Sequence, residues 1–193
     1  RRFDPLISEL KKILDKNFKP GDIHDIRCDM YRVKRFDPEF ATTAVHGIDA
    51  VRFLAGSDFS RINFHYQELP DIGRPGVMNY FLDCEFESGA YAHFNICPVA
   101  GVRIERITVN LYDNTLFCNT PMWFEYDVPG SLVHLQNNIE VLNIKGSDLV
   151  SGTEIFETCG FYQENVSFFE DIRAGRMPEV NLETTLQTVE IEE

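Results

Sequence analysis

The sequence predicts a single α+β domain over residues 1–193, an open, largely antiparallel β-sheet with helices packed on one face. Three observations carry this reading. Apolar residues recur at helical spacing near both ends of the chain and at every second position through its middle. The strand-like runs follow one another across tight turns, as hairpins do. A length of 193 residues with 44% hydrophobic and 12% aromatic content is enough to bury a core of ordinary size.

The elements follow in order. Asp4 before Pro5 is a helix start, because a carboxylate accepts from orphan amides and proline lacks a donor where none is needed. Leu6, Ile7, Leu10, Ile13 and Leu14 then form one apolar stripe, and Pro20-Gly21 ends the segment before a strand over residues 23–33. A second helix over residues 42–55 stops at Gly56. Period two begins with Ile62, Phe64 and Tyr66, and continues with Met78, Tyr80, Leu82, Cys84 and Phe86. Ser88-Gly89 turns the chain into Ala92, Phe94 and Ile96. Ile107, Val109 and Leu111 make the next strand, and Asp113-Asn114 turns into Leu116 to Cys118. Less regular strands are expected over residues 122–128 and 139–144. The tail returns to helix over residues 163–174, closed by Gly175, with a last segment capped by Asn181. An open sheet of about eight strands leaves one face and two edges to be covered. Trp123, Phe124 and Phe117 are candidates for such a covered surface, with ordinary intrachain core as the alternative.

Charge narrows the partners. Eighteen Lys and Arg against 31 Asp and Glu give a net charge of −13, which repels nucleic-acid backbones and anionic membrane surfaces. No apolar run approaches the roughly 20 residues of a membrane span, and residues 1–5 lack the apolar stretch of a signal peptide. The five cysteines are odd in number and show no two-residue spacing, so they read as small buried hydrophobes in a reducing, cytoplasmic setting. The sequon Asn165-Val166-Ser167 falls in a helical segment and reads as chance. The chain begins without Met and ends in mid-pattern, so a piece of a longer polypeptide is expected.

No glycine-rich phosphate fingerprint, G-x-S-x-G elbow or H-E-x-x-H pair is present, and no local spacing builds a metal site. One dense polar cluster lies inside an apolar helix: Thr42, His46 and Asp49 share a face at 3.6-residue spacing, with Phe53 beside them and Val45, Ile48 and Val51 in other directions. An imidazole among apolar neighbours titrates near neutrality, which general acid–base chemistry needs, and Asp49 could orient it or hold a substrate hydroxyl. A satisfied core histidine is the competing reading. His65 and His93 alternate with apolar strand residues and belong to the less buried face. The run Arg103-Ile104-Glu105-Arg106 could reach a carboxylate or phosphate through its guanidinium forks, with a solvated, charged strand end as the competing reading.

Five stretches, in order, resemble the C-terminal domain of the Gfo/Idh/MocA family of nicotinamide-dependent oxidoreductases. They are Arg1-Arg2-Phe3-Asp4-Pro5-Leu6 with Leu10-Lys11-Lys12-Ile13; Pro20-Gly21-Asp22-Ile23; the helix Ala44-Val45-His46-Gly47-Ile48-Asp49, similar to the family's H-x-x-D helix; Glu87-Ser88-Gly89; and residues 164–178 with Phe168-Phe169, Ile172, Gly175 and Pro178. The resemblance implies a two-domain enzyme. An N-terminal domain outside this chain would bind NAD or NADP and supply a lysine from an E-K-P motif, while the present domain binds substrate and assembles a homodimer or homotetramer through the open sheet face. It places His46 at the family's acid/base position and Asp49 in a supporting one. Several members carry Asp one turn before that histidine, where this sequence has Thr42, which can hydrogen-bond a hydroxyl but cannot act as a carboxylate base. The implied substrate is a sugar, polyol or related alcohol or ketone, and this domain alone is expected to be inactive. The rival is a carbohydrate-binding or assembly module of the same descent without redox chemistry, which Thr42 favours.

Overall fold

Asp4 opens the first helix, α1 (Pro5–Asn17), as its sequence signature requires: its side chain accepts from the amides of Leu6 and Ile7. The stripe Leu6, Ile7, Leu10 and Leu14 is buried, and Ile13 packs at its margin. The computed structural model describes residues 1–36, 41–69, 72–121 and 129–191, without the side chains of residues 41–43. A turn at Pro20–Asp22 leads into β1 (Ile23–Tyr31), followed by α2 (Ala41–Ala55), which stops at Gly56 with φ +62°. Six of the remaining strands are β2 (Phe59–Glu68), β3 (Met78–Phe86), β4 (Tyr91–Cys97), β5 (Ile104–Leu111), β6 (Asn114–Thr120) and β7 (Ser131–Gln136). The last is β8 (Ile139–Lys145), and the tail holds α3 (Ile155–Thr158), α4 (Phe161–Arg173) and α5 (Leu182–Glu190).

The eight strands form one open sheet in the order β2-β3-β4-β1-β5-β6-β7-β8. Among the described strands only the β1–β4 pair is parallel, because α2 carries the chain from the centre of the sheet to its edge and β3 and β4 fold back beside β1. The α+β class with a largely antiparallel sheet is thus as the sequence predicts. One buried row, Leu82, Phe94, Cys28, Ile107, Cys118 and Leu132, crosses six strands in register. Helix α1 lies over β6 and β7, and α2 over β1, with α5 packed on α2. At Gly47 the helix approaches the sheet so closely that a Cβ would stand 2.3 Å from the Met30 sulfur.

The other face carries Asp83, His93, Arg27, Thr108, Phe117 and Val133 in one row. Phe117 is 40% exposed there, which decides between its two readings in favour of the open surface. Trp123, Phe124 and the strand expected over residues 122–128 lie outside the described residues. His65 and His93 lie on the exposed side, as expected, and both reach Asp83, at 3.4 and 2.7 Å.

Four expectations are corrected. The period-two run of β2 is half-buried only as far as Ile62, and Phe64 and Tyr66 are exposed, because β2 is an edge strand whose far end runs beyond the core. Strand β7 was not expected, although Asn137-Asn138, both at positive φ, mark the turn into β8. Val45 does not point away from the polar face of its helix but lines the same cavity as His46. Glu105 is not solvated but 6% exposed. It occupies the inward phase of Ile107, Val109 and Leu111, so extending that alternation by one step would have placed it.

Candidate functional site

The site forms where the first turn of α1, the polar side of α2 and the tail helices α4 and α5 converge. Arg52 of α2 ties α5 in place by donating to the Thr184 carbonyl at 2.6 Å. The Gln187 side chain exchanges hydrogen bonds with the backbone of Phe59, at 3.0 and 3.1 Å. Between these elements lies a cavity of about 290 Å³ lined by His46 and Asp49, as their shared helix face requires.

The two residues have different surroundings. Asp49 takes a two-pronged ion pair from Arg2, with Nε to Oδ2 at 2.8 Å and Nη2 to Oδ1 at 2.6 Å. A carboxylate held this way fixes the chain entering α1 against α2. The Arg2 guanidinium also lies over the Phe53 ring, 5.4 Å from its centroid. His46 keeps an exposed side toward solvent. Partial burial, and then the nearby positive charge of Arg1, lower its pKa below the ordinary value, so the ring is neutral at pH 7 and able to accept a proton. Thr42 sits one turn earlier on α2, and its side chain lies outside the described residues.

Behind His46 is a charge cluster that sequence reasoning missed. Glu105 pairs with Arg1 at 2.8 Å and with the Arg32 guanidinium, which also donates to the Tyr31 and Ile104 carbonyls at 3.0 and 3.3 Å. Burial pushes the Glu105 carboxyl up, but the two arginines outweigh it and hold it below its ordinary value. With an arginine on either side, Glu105 carries its charge into the interior beneath the site. Asp4 is also more than a cap: it is 1% exposed and lines the cavity. Burial raises its pKa to about 6 against the pull of Arg1 and the two amides it caps. Thr188 of α5 lines the same cavity.

Among the described residues no group of three or more His, Cys, Asp and Glu is placed to hold a metal. No described helix is long and apolar enough to cross a membrane. A cavity of this size, lined by His46, has room for a small ligand.

No protein-family model and no curated protein sequence matches the chain. Solved structures do. A dehydrogenase from Chromobacterium violaceum is similar over 99% of this chain and 57% of its own, at TM-score 0.80 and 16% identity. Levoglucosan dehydrogenase in complex with NADH is similar over 99% of this chain and 60% of its own, at TM-score 0.77 and 17% identity. Aldose-aldose oxidoreductase from Caulobacter crescentus, complexed with glycerol, is similar over 98% of this chain and 57% of its own, at TM-score 0.74 and 16% identity. These are Gfo/Idh/MocA-type dehydrogenases and oxidoreductases, and the fold is the one the sequence resemblance implied. At such identities the likeness speaks for the fold. The chain spans less than two thirds of the length of these proteins.

Proposed function

We propose that this chain is the substrate-binding and oligomerisation domain of an NAD(P)-dependent oxidoreductase acting on a sugar, polyol or related alcohol or ketone. The observation that carries the proposal is the neutral, cavity-lining His46 at the polar edge of α2, on a fold whose similar structures are dehydrogenases. Its imidazole would take the proton of a substrate hydroxyl during oxidation and return it during reduction. Asp49 and the Arg1–Glu105–Arg32 cluster would hold the ring's surroundings in place.

The residues of this chain do not fit a whole dinucleotide. The sequence has no glycine-rich phosphate loop, and a cavity of about 290 Å³ suits a single sugar-sized ring. NAD or NADP would be bound mainly by a further, N-terminal domain of the whole polypeptide, and this domain alone would be inactive. All five cysteines are free thiols, which suits the cytoplasm. The open sheet face around Phe117 and Val133 would join copies into a homodimer or homotetramer.

A second reading, a carbohydrate-binding or assembly module without redox chemistry, is favoured by Thr42 in place of a carboxylate. Assays of the whole polypeptide against sugars and polyols with both cofactors decide between them. We expect His46→Ala to lower kcat by about 10²- to 10⁴-fold with cofactor affinity unchanged. An unaltered kcat removes His46 from the reaction, and no turnover on any substrate favours the module.

A further inference from the structure

Asp4 and Thr188, both buried and both lining this cavity, each have a polar atom with no hydrogen-bond partner among the described residues. Asp4 uses Oδ1 to cap α1 and leaves Oδ2 unpaired, and the Thr188 hydroxyl is likewise unpaired. Each residue is 1% exposed. They come from opposite ends of the chain, one from the start of α1 and one from α5, and both line the same cavity as His46. Buried polar atoms nearly always have partners, so two orphans on one cavity point to a ligand or water that completes them.

We propose that Asp4 and Thr188 form an inner subsite that holds a hydroxyl of a neutral polyol ring. The subsite rests on reading the cavity as the substrate site, and it adds two binding residues to His46. The chemistry of the lining selects the ligand class. The Thr188 hydroxyl can donate to or accept from a ligand hydroxyl, whereas the Asp4 carboxyl, its pKa raised to about 6, accepts from one as a carboxylate at neutral pH. Val45, Val180 and Phe161 offer apolar surface to the C–H faces of such a ring. The two lining guanidiniums are already engaged, Arg1 by Glu105 and Arg2 by Asp49. The other charged side chains lining the cavity, Asp4 and Glu164, are acidic. A phosphorylated or carboxylated sugar would therefore meet like charge with no uncommitted cation, whereas a neutral ring would not.

Titration of the protein with myo-inositol, followed by calorimetry and by the backbone amide shift of Thr188, tests the assignment. Thr188→Val keeps the side-chain shape, and Asp4→Asn keeps a capping oxygen, so both variants retain the helix contacts. Circular dichroism and the melting midpoint check that they fold. Saturable binding that each variant weakens by about three- to tenfold is expected, with glucose 6-phosphate and gluconate binding more weakly than glucose. Wild-type affinity in both variants overturns the subsite and leaves the dehydrogenase proposal standing. Absence of polyol binding, or preference for the anionic sugars, also overturns it. Hydride transfer by the whole polypeptide is a separate readout: its absence alongside intact, Asp4-dependent binding overturns the dehydrogenase proposal and leaves the subsite.

Discussion

Asp4 combines two roles that oppose each other. Its Oδ1 caps α1, which stabilises the helix start, while burial of the same carboxyl disfavours its charge and raises its pKa from 3.8 to about 6. For a carboxyl raised on folding, the unfolded chain releases the proton first. Its contribution is therefore most favourable below the unfolded value and is lost as pH rises through the folded one. The gap between 3.8 and about 6 corresponds to about 3 kcal/mol lost over that window. Glu105, held below its ordinary value, works in the opposite direction on acidification, so the wild-type curve alone does not isolate Asp4. Urea unfolding of wild type and Asp4→Asn from pH 4 to 7 does: the variant should gain on wild type as pH rises, and a constant difference would contradict the buried, uncompensated carboxyl.

Among the elements, α2 matters most to the site, and its distance from the sheet is set at Gly47. Alanine there would improve helix propensity by about 1 kcal/mol. Its Cβ, however, would stand 2.3 Å from the Met30 sulfur and 3.2 Å from the Cys28 sulfur, and Met30 is 1% exposed, so it must repack within the core to make room. Overpacking of this kind costs about 1–3 kcal/mol, so it cancels or exceeds the propensity gain. Gly47→Ala is expected to lower stability by about 1–2 kcal/mol in denaturant titrations and to disturb the adjacent His46. A variant more stable than wild type would show that α2 can lift from β1 without penalty. The tail behaves differently: α4 has no buried residue, and Phe168 and Phe169 are 47% and 54% exposed, packed edge to face on each other.

For the whole molecule the open sheet decides most. One face is sealed by α1 and α2, and the other is polar over β3, β4 and β1 but apolar at Phe117 and Val133. Edges β2 and β8 are largely solvent-facing, so among the described residues one face and both edges of the sheet are left open. If copies join through the face, Phe117→Asp should convert the assembly to monomer in sedimentation velocity while leaving stability within about 0.5 kcal/mol, because the side chain is already 40% exposed. A wild-type protein that is monomeric, or an assembly that survives the substitution, places the contact elsewhere.

Local chemistry in the sequence determined most of the elements: the Asp4-Pro5 start of α1, the stop of α2 at Gly56, the β3–β4 hairpin at Ser88-Gly89 and the Asn181 cap of α5 each depend on neighbours a few residues apart. The same locality made His46 and Asp49 legible as one helix face. Strand order was not legible, so β2 read as half-buried until its place at the edge was known. Nor did the sequence reveal Glu105 between Arg1 and Arg32, or Asp4 and Thr188 on one cavity. These partners lie 73 to 104 residues apart in the Glu105 cluster, and the cavity pair comes from opposite ends of the chain. Burial and pairing of charge are properties of surfaces brought together by packing. Periodicity records only which way a side chain points along its own element, and the fold alone decides what it meets there.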